Sequence, residues 1–509
     1  MRVLYVTSEV FPLVKTGGLA DVSAALPAIL NEFDVDTRLL LPGYPQAIAH
    51  AAGLQEVARL GDLLGCGETR LLSARLPDSG VPVWLVDCPA LYDRAGGVYQ
   101  DEGGTEWHDN ALRFALLNHV AARIADGLSA VFWRPDIVHC HDWHAALVPL
   151  LMAARSRPQP ATVLTVHNLA YQGLFQPDQF DGLDLSHPQA YQALDFHGRL
   201  SFLKAGLTFA DALTTVSPTY RNEILTPEYG CGLDGLLRER AHRLTGIMNG
   251  ADYRVWDPAC DRHLVSTYSA RRPSEKRACK IALQQEMALE PAPDTPLIAF
   301  NSRLAHQKMP DILLEALPAV LDADVQFALV AEGEAGYETG FRDLAARYPG
   351  RVSVCIGYEE PRAHRLLAGA DILLHPSRYE PCGLAPIYAM RYGTLPIVRR
   401  SGGTADSVVD AIEQTIHCET ATGFAFERPT ADDLIASVRR ALALYHQPIA
   451  WRKIQLCAMR QDFGWERPAQ AYVDLYRALA ADPVDQQVKE RERIGIDGSS
   501  ALADQERAA

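Results

Sequence analysis

The sequence predicts an α/β protein built from two Rossmann-like halves, each with a parallel sheet. Short β-branched runs alternate with helix-period apolar patterns along almost the whole chain. One polar, irregular stretch after residues 246–250 interrupts that alternation, and a second series resumes at residue 297. Polar and glycine-containing residues concentrate just after the strand-like runs, where open parallel sheets hold their ligands.

In the first series, residues 2–7 read as a buried strand. Leu19, Val22, Leu26, Ile29 and Leu30 supply the stripe of the following helix. Further strands are expected at 82–86, 136–140, 161–166 and 212–216. Ser217-Pro218 is a helix start, a capping hydroxyl followed by proline in the first turn. The second series continues with strands at 297–301, 325–331, 352–356, 372–375 and 395–398. Residues 471–479 form a last amphipathic helix, and the polar tail 482–509 is expected to be disordered. The domain boundary falls near 245–255, with ligand expected between the two domains.

Composition narrows the function. The 509 residues are 48% hydrophobic and 22% charged, as in an ordinary globular protein, and suffice for two large domains. A net charge of -15 opposes a nucleic-acid or anionic-membrane surface. The ten cysteines are scattered without CxxC pairs, which points to a reducing cytoplasm and not to a disulfide scaffold or zinc site. The apolar start, residues 1–6, runs into Glu9 and Lys15 and so does not read as a secretion signal. No stretch approaches the ~20 apolar residues of a membrane span.

Several post-strand segments carry candidate chemistry. Lys15-Thr16-Gly17-Gly18 offers close backbone approach at a helix N-terminus, suited to a phosphate or sugar, although a lone KTGG is more often a tight turn. Arg303 and Lys308 supply a planar fork and a point charge against a diphosphate, or are ordinary surface cations. Glu380 could hold sugar hydroxyls or merely complement a helix dipole. Gly402-Gly403-Thr404 is a glycine-rich turn able to admit a phosphate, or simply a turn. Asp142 at a strand end competes with a capping role, and His167-Asn168 with a satisfied loop histidine. His139, His141 and His144 lack the partners of a metal site, and Asp322-Ala323-Asp324 reads as a turn.

Taken together, Lys15-Thr16-Gly17-Gly18-Leu19-Ala20-Asp21-Val22, His141-Asp142-Trp143-His144, the run from Thr165 to Gly173, and Glu380-Pro381-Cys382-Gly383-Leu384 resemble the ADP-glucose-dependent glycogen/starch synthases in order and spacing. Phe202-Leu203-Lys204-Ala205-Gly206, Val216-Ser217-Pro218-Thr219-Tyr220, Asn249-Gly250 and Tyr392-Gly393-Thr394-Leu395-Pro396 extend the similarity to about residue 480. The resemblance implies a GT-B architecture with a deep interdomain cleft. Its N-terminal domain would be 1–248 plus a returning helix at about 462–480, and its nucleotide-sugar domain 249–461.

It further implies retaining transfer of glucose from ADP-glucose to the non-reducing end of glycogen or a maltooligosaccharide, releasing ADP, with no metal or cofactor. His167, Glu380, Arg303, Lys308 and Asp142 would then be catalytic. Lys15, Gly17, Gly18, Asp21, Asn249, Cys382, Gly383, Leu384, Gly402, Gly403 and Thr404 would bind substrate. Same-face attack, with the His167 carbonyl near the anomeric carbon, is favoured over a carboxylate nucleophile.

The chain departs from the family pattern in three places. Met309 replaces a usual glycine, Ala385-Pro386 a common Thr-Gln, and Ala331-Glu332-Gly333-Glu334 a glycine-richer turn. Weakened or rearranged phosphate binding is the expectation from the first two, and altered nucleotide preference or closure from the third. The alternatives are another retaining GT-B glucosyltransferase and a catalytically impaired glucan-binding homologue.

Overall fold

In a computed structural model the protein is described over residues 1–155 and 159–481. The chain divides into two compact units. Unit 1 comprises Met1–Thr215, Ile224–Thr245 and, of the described residues beyond 465, the helix Glu466–Ala481; unit 2 comprises Val216–Glu223 and Gly246–Trp465. The expected disordered tail at 482–509 lies outside the described residues.

Unit 1 is organised on a nine-stranded sheet. Its strands are β1 (Arg2–Val6), β2 (Asp36–Pro42), β3 (Ala52–Asp62), β4 (Glu68–Arg75), β5 (Pro82–Asp87), β6 (Ile137–His141) and β7 (Ala161–Val166). Three short strands, β8 (Leu174–Phe175), β9 (Asp195–Phe196) and β10 (Arg199–Ser201), form a separate small sheet, after which β11 (Ala212–Thr215) and β12 (Leu244–Gly246) complete the large one. The large sheet runs β12-β11-β7-β6-β1-β2-β5-β4-β3. Strands β11, β7, β6, β1, β2 and β5 are parallel, whereas β4 and β3 form an antiparallel edge. Val3, Leu4, Tyr5 and Val6 of β1 are fully buried, as a central strand covered on both faces requires.

Unit 2 is a six-stranded parallel sheet of β13 (Leu297–Asn301), β14 (Gln326–Ala331), β15 (Val352–Ile356), β16 (Ile372–His375), β17 (Leu395–Arg399) and β18 (Phe424–Phe426), in the order β15-β14-β13-β16-β17-β18. The connections reverse direction between β13 and β16. In unit 1 the equivalent reversal lies between β1 and β6. Each reversal opens a crevice at the carboxyl ends of its two strands, the place where doubly wound sheets take ligands.

One segment departs from the expectation that residues 1–248 form the first domain. Val216–Glu223 packs with unit 2 because its polar groups find their partners there. Ser217 Oγ donates to the Pro381 carbonyl at 2.7 Å, Thr219 Oγ1 donates to Asp406 at 2.7 Å, and Glu223 accepts from the Gly402 amide at 2.8 Å. The terminal helix Glu466–Ala481 belongs to unit 1, where the Tyr476 hydroxyl meets His139 Nδ1 at 2.7 Å. Among the described residues, no helix is long and apolar enough to cross a membrane.

Candidate functional site

In unit 1 the loop after β1 and the helix Gly18–Glu32 carry the Lys15-Thr16-Gly17-Gly18 motif. Gly17 has open space on its Cβ side, so a ligand can approach its backbone closely. The amides of Thr16 and Gly17, however, both donate to the Glu9 carboxylate, Gly17 at 3.0 Å. Glu9 is 3% exposed and also accepts from the Tyr99 hydroxyl. These two amides are thus engaged by a protein carboxylate, and cationic character at this loop comes from Lys15. Its Nζ pairs with Asp21 at 2.8 Å, so Asp21 holds the lysine.

Across the same switch point, Asp142 follows β6 in a left-handed conformation, φ 55°. Its Oδ1 accepts from the backbone N–H of His167 at 2.7 Å and, more weakly, from that of Asn168 at 3.4 Å. It thereby fixes the peptide that ends β7. Burial pushes the Asp142 carboxyl up to about 7, and the two N–H donors oppose that rise only in part. His167 lies against His141, with Nε2 to Nδ1 at 2.9 Å, and burial lowers its imidazole to about 3. Below them Trp143 packs into an aromatic cluster with Phe114, His144 and Phe175. Gly173, φ 60°, closes over the indole, and a Cβ there would lie 2.4 Å from the ring, which is why the Thr165-to-Gly173 run ends in glycine.

In unit 2 the switch point brings Lys308, at the end of a single turn after β13, onto Glu380, in the turn after β16. Three donors converge on one oxygen, Glu380 Oε2: Lys308 Nζ, His375 Nε2 at 2.8 Å and Ser377 Oγ at 2.9 Å. Oε1 receives none of the three. Burial alone would raise this carboxyl, but the Lys308 charge and the His375 contacts outweigh it and hold Glu380 well below the usual carboxylate range. Burial and the nearby Lys308 charge lower His375, so it donates as a neutral ring. Arg303 is exposed on the same post-β13 turn. Asn249 is buried, and its Oδ1 has no hydrogen-bond partner. Burial pushes the neighbouring Cys382 thiol up to about 12, so it is an inert neutral group.

Gly383 adopts φ 84° and caps the helix Leu384–Arg391, directing the first-turn amides of Leu384 and Ala385. Gly402, Gly403 and Thr404 are expected from the sequence to bind substrate, and their geometry gives them a structural role. All three are buried. The Gly402 amide donates to Glu223, the Gly403 amide donates to the Glu380 carbonyl at 3.0 Å, and Thr404 Oγ1 donates to the carbonyls of Arg399 and Ser401. A Cβ on Gly402 would sit 2.0 Å from the Glu380 oxygen, and one on Gly403 2.1 Å from the Cys382 oxygen. These glycines let two backbones touch and so hold the Glu380 turn in place.

Sequence reasoning missed Glu9, Tyr99, His375, Ser377 and Glu223. His375 and Ser377 could have been found, since they stand three to five residues before Glu380 at a strand end; Glu9 stands at the end of β1 in the same way. Tyr99 and Glu223 come from distant segments and carry no local signal. Among the described residues, no group of three or more His, Cys, Asp or Glu side chains is placed to hold a metal ion.

Residues 2–239 match the model of the starch synthase catalytic domain, and residues 284–454 match that of glycosyl transferases group 1. The chain is 51% identical over 480 residues to the glycogen synthase of Burkholderia thailandensis, covering 94% of this chain and 90% of that one. It is 50% identical to the glycogen synthase of Paramagnetospirillum magneticum, over 95% and 98% of the two chains. Among solved structures, the catalytic domain of starch synthase IV from Arabidopsis thaliana bound to ADP and acarbose matches with a TM-score of 0.85 at 27% identity, over 94% of this chain and 99% of that one. Its two parallel-sheet units thus have the GT-B architecture.

Proposed function

Because the chain belongs to the glycogen synthase family, we propose that it transfers glucose from ADP-glucose to the non-reducing end of an α-1,4-glucan, retaining the α configuration and releasing ADP. The observation that carries the reading is the convergence of Lys308, His375 and Ser377 on one oxygen of Glu380. That arrangement keeps a carboxylate ionised and rigid while its second oxygen remains able to accept from sugar hydroxyls.

In this reading Arg303 and Lys308 meet the negative charge that grows on the departing diphosphate, and Lys15 serves as a further cation for the same substrate. Asp142 accepts from the N–H groups of both peptides that flank His167, firmly before it and more weakly after it, so that the His167 carbonyl is oriented before substrate binds, which suits same-face attack on the anomeric carbon. Glu380 positions the transferred glucose and forms no covalent intermediate. Asn249 offers a buried acceptor to the same substrate. ADP-glucose and the glucan are both substrates, so the reaction needs no further cofactor. Ten free thiols support a cytoplasmic setting.

The purified chain incubated with ADP-glucose should release ADP and lengthen chains only when glycogen or a maltooligosaccharide is present. Glu380→Ala and Lys15→Ala should each depress turnover by about 100-fold. ADP release onto a different acceptor would instead identify another retaining glucosyltransferase. Binding of ADP or glucan without turnover would identify an impaired homologue.

A further inference from the structure

His141 closes β6, is fully buried, and stacks on Tyr5 with ring centroids 3.9 Å apart. His139 lies beside it, at 4.1 Å, with its own ring nitrogens taken up by Tyr476 and Thr165. The imidazole is therefore packed against two other rings, and its two nitrogens have different surroundings. Nδ1 lies 2.9 Å from His167 Nε2, while Nε2 is buried with no hydrogen-bond partner.

One proton must sit between Nδ1 of His141 and Nε2 of His167. If it belonged to His167, the neutral ring of His141 would carry its proton on Nε2, leaving a buried N–H donor with no acceptor. If it belongs to His141, only a bare lone pair is left there, the milder of the two buried defects. Burial lowers both rings far enough to keep them neutral near pH 7. The rare doubly protonated alternative thus drops out.

We infer that His141 is a positioning residue that fixes the tautomer of His167: it donates from Nδ1 to His167 Nε2, so His167 carries its ring proton on Nδ1. Resting on the transferase reading, this deepens the part played by His167. The residue then brings to the substrate both a carbonyl held by Asp142 and a ring N–H donor held by His141. Free imidazole side chains in water favour the other tautomer, so the protein is imposing the choice. The sequence motif His141-Asp142 acquires a joint purpose, with two adjacent residues securing the ring and the backbone of His167, 26 and 25 positions later.

The test pairs a ligand-free spectrum with kinetics. Full-length chain carrying ¹⁵N-histidine, with His167 assigned by comparison with His167→Gln, should show the Nδ1-protonated pattern for His167 in long-range ¹H–¹⁵N correlations. An Nε2-protonated pattern would overturn the inference. His141→Phe keeps a flat ring but loses the donor. It should lose the single-tautomer signature and lower kcat by about 10- to 100-fold, with less than about a threefold change in KM for ADP-glucose. In His141→Asn the side-chain amide nitrogen stands where Nδ1 stood, and kcat should recover to within about fivefold of wild type. A His141→Phe enzyme within twofold of wild type, or an asparagine variant no better than the phenylalanine one, would reject the positioning role. The spectrum needs neither substrate nor activity, so it decides the tautomer even if the chain proves not to be a glucosyltransferase. It also decides if His141→Phe fails to fold.

Discussion

The two units present a buried carboxylate at equivalent places, beside the reversal of strand order, yet treat it in opposite ways. Glu380 in unit 2 is surrounded by a lysine, a neutral histidine donor and a hydroxyl, and stays ionised despite being 5% exposed. Asp142 in unit 1 is 7% exposed, receives only backbone N–H groups and lies near the negative Glu9, so burial wins and the carboxyl moves up to about 7. The lesson is that depth does not set the charge state of a site carboxylate. The number of full charges and side-chain donors that reach it does.

The largest expected effect breaks this comparison through pH. A carboxyl whose folded-state value is raised gives full stability below its unfolded value, about 3.9 for Asp, and loses it as pH rises toward 7. Asp142→Asn should therefore become progressively more stable relative to wild type between about pH 4 and pH 7, by up to about 4 kcal/mol, with no further gain above. Glu380 is the reverse case. Its depressed value stabilises the fold above about pH 4.3, its unfolded value, and that contribution fades as pH falls. The penalty of Glu380→Gln should be largest at neutral pH and shrink in acid. Urea unfolding midpoints across pH for both variants check the pair, and slopes of the same sign would end the distinction.

The difference between the units also marks what could be read from sequence. The two sheets and most parallel strands were legible because β1, β7, β13 and β16 are short apolar runs between helix-period patterns. β3 was not, because it is an exposed edge strand with no apolar face to show. β2 is not legible either, because its core is Leu39-Leu40-Leu41, which lacks the β-branched signature. Of the candidate site, Lys15, Asp142, His167, Lys308 and Glu380 were legible as post-strand polar residues, proposed for the site through a family resemblance. The bonding around them was not, because Glu9 with Gly17, Glu223 with Gly402 and Gly403 with Glu380 are contacts that topology creates. The role of a glycine pair is therefore not legible locally, since no local pattern distinguishes a turn that admits a phosphate from one that admits another backbone.

A smaller effect concerns Met309, next to Lys308 in unit 2. It adopts φ 54°, where glycine is at ease and a side chain costs about 1 kcal/mol, but its side chain is fully buried. Removing a buried methionine side chain costs about 2–5 kcal/mol through lost burial and cavity formation. The second term wins, so Met309→Gly should lower unfolding stability by on the order of 2 kcal/mol although the backbone conformation suits glycine. A stabilised variant would show that strain dominates and that Lys308 is held by a turn under tension.

The smallest effect probes the helix start beside Glu380. Pro386 is the third residue of the helix Leu384–Arg391, where its missing N–H breaks no intrahelical bond, but where an N–H would otherwise be available to an anion. Ala385 likewise offers no hydroxyl. Pro386→Ala restores one donor and Ala385→Thr the other, each worth about 1 kcal/mol if it reaches the diphosphate. Each substitution should then tighten ADP binding about threefold to fivefold in calorimetry. Because ground and transition states would share the contact, kcat should not move. The proline change carries its own cost, since a freer unfolded chain lowers stability by about 0.5 kcal/mol, and an unfolding curve separates that from binding. Unchanged ADP affinity in both variants would mean that the phosphate is held by Arg303 and Lys308 without the helix. Unit 2 would then resemble unit 1, where the Thr16 and Gly17 amides serve Glu9 and the lysine alone faces an anion.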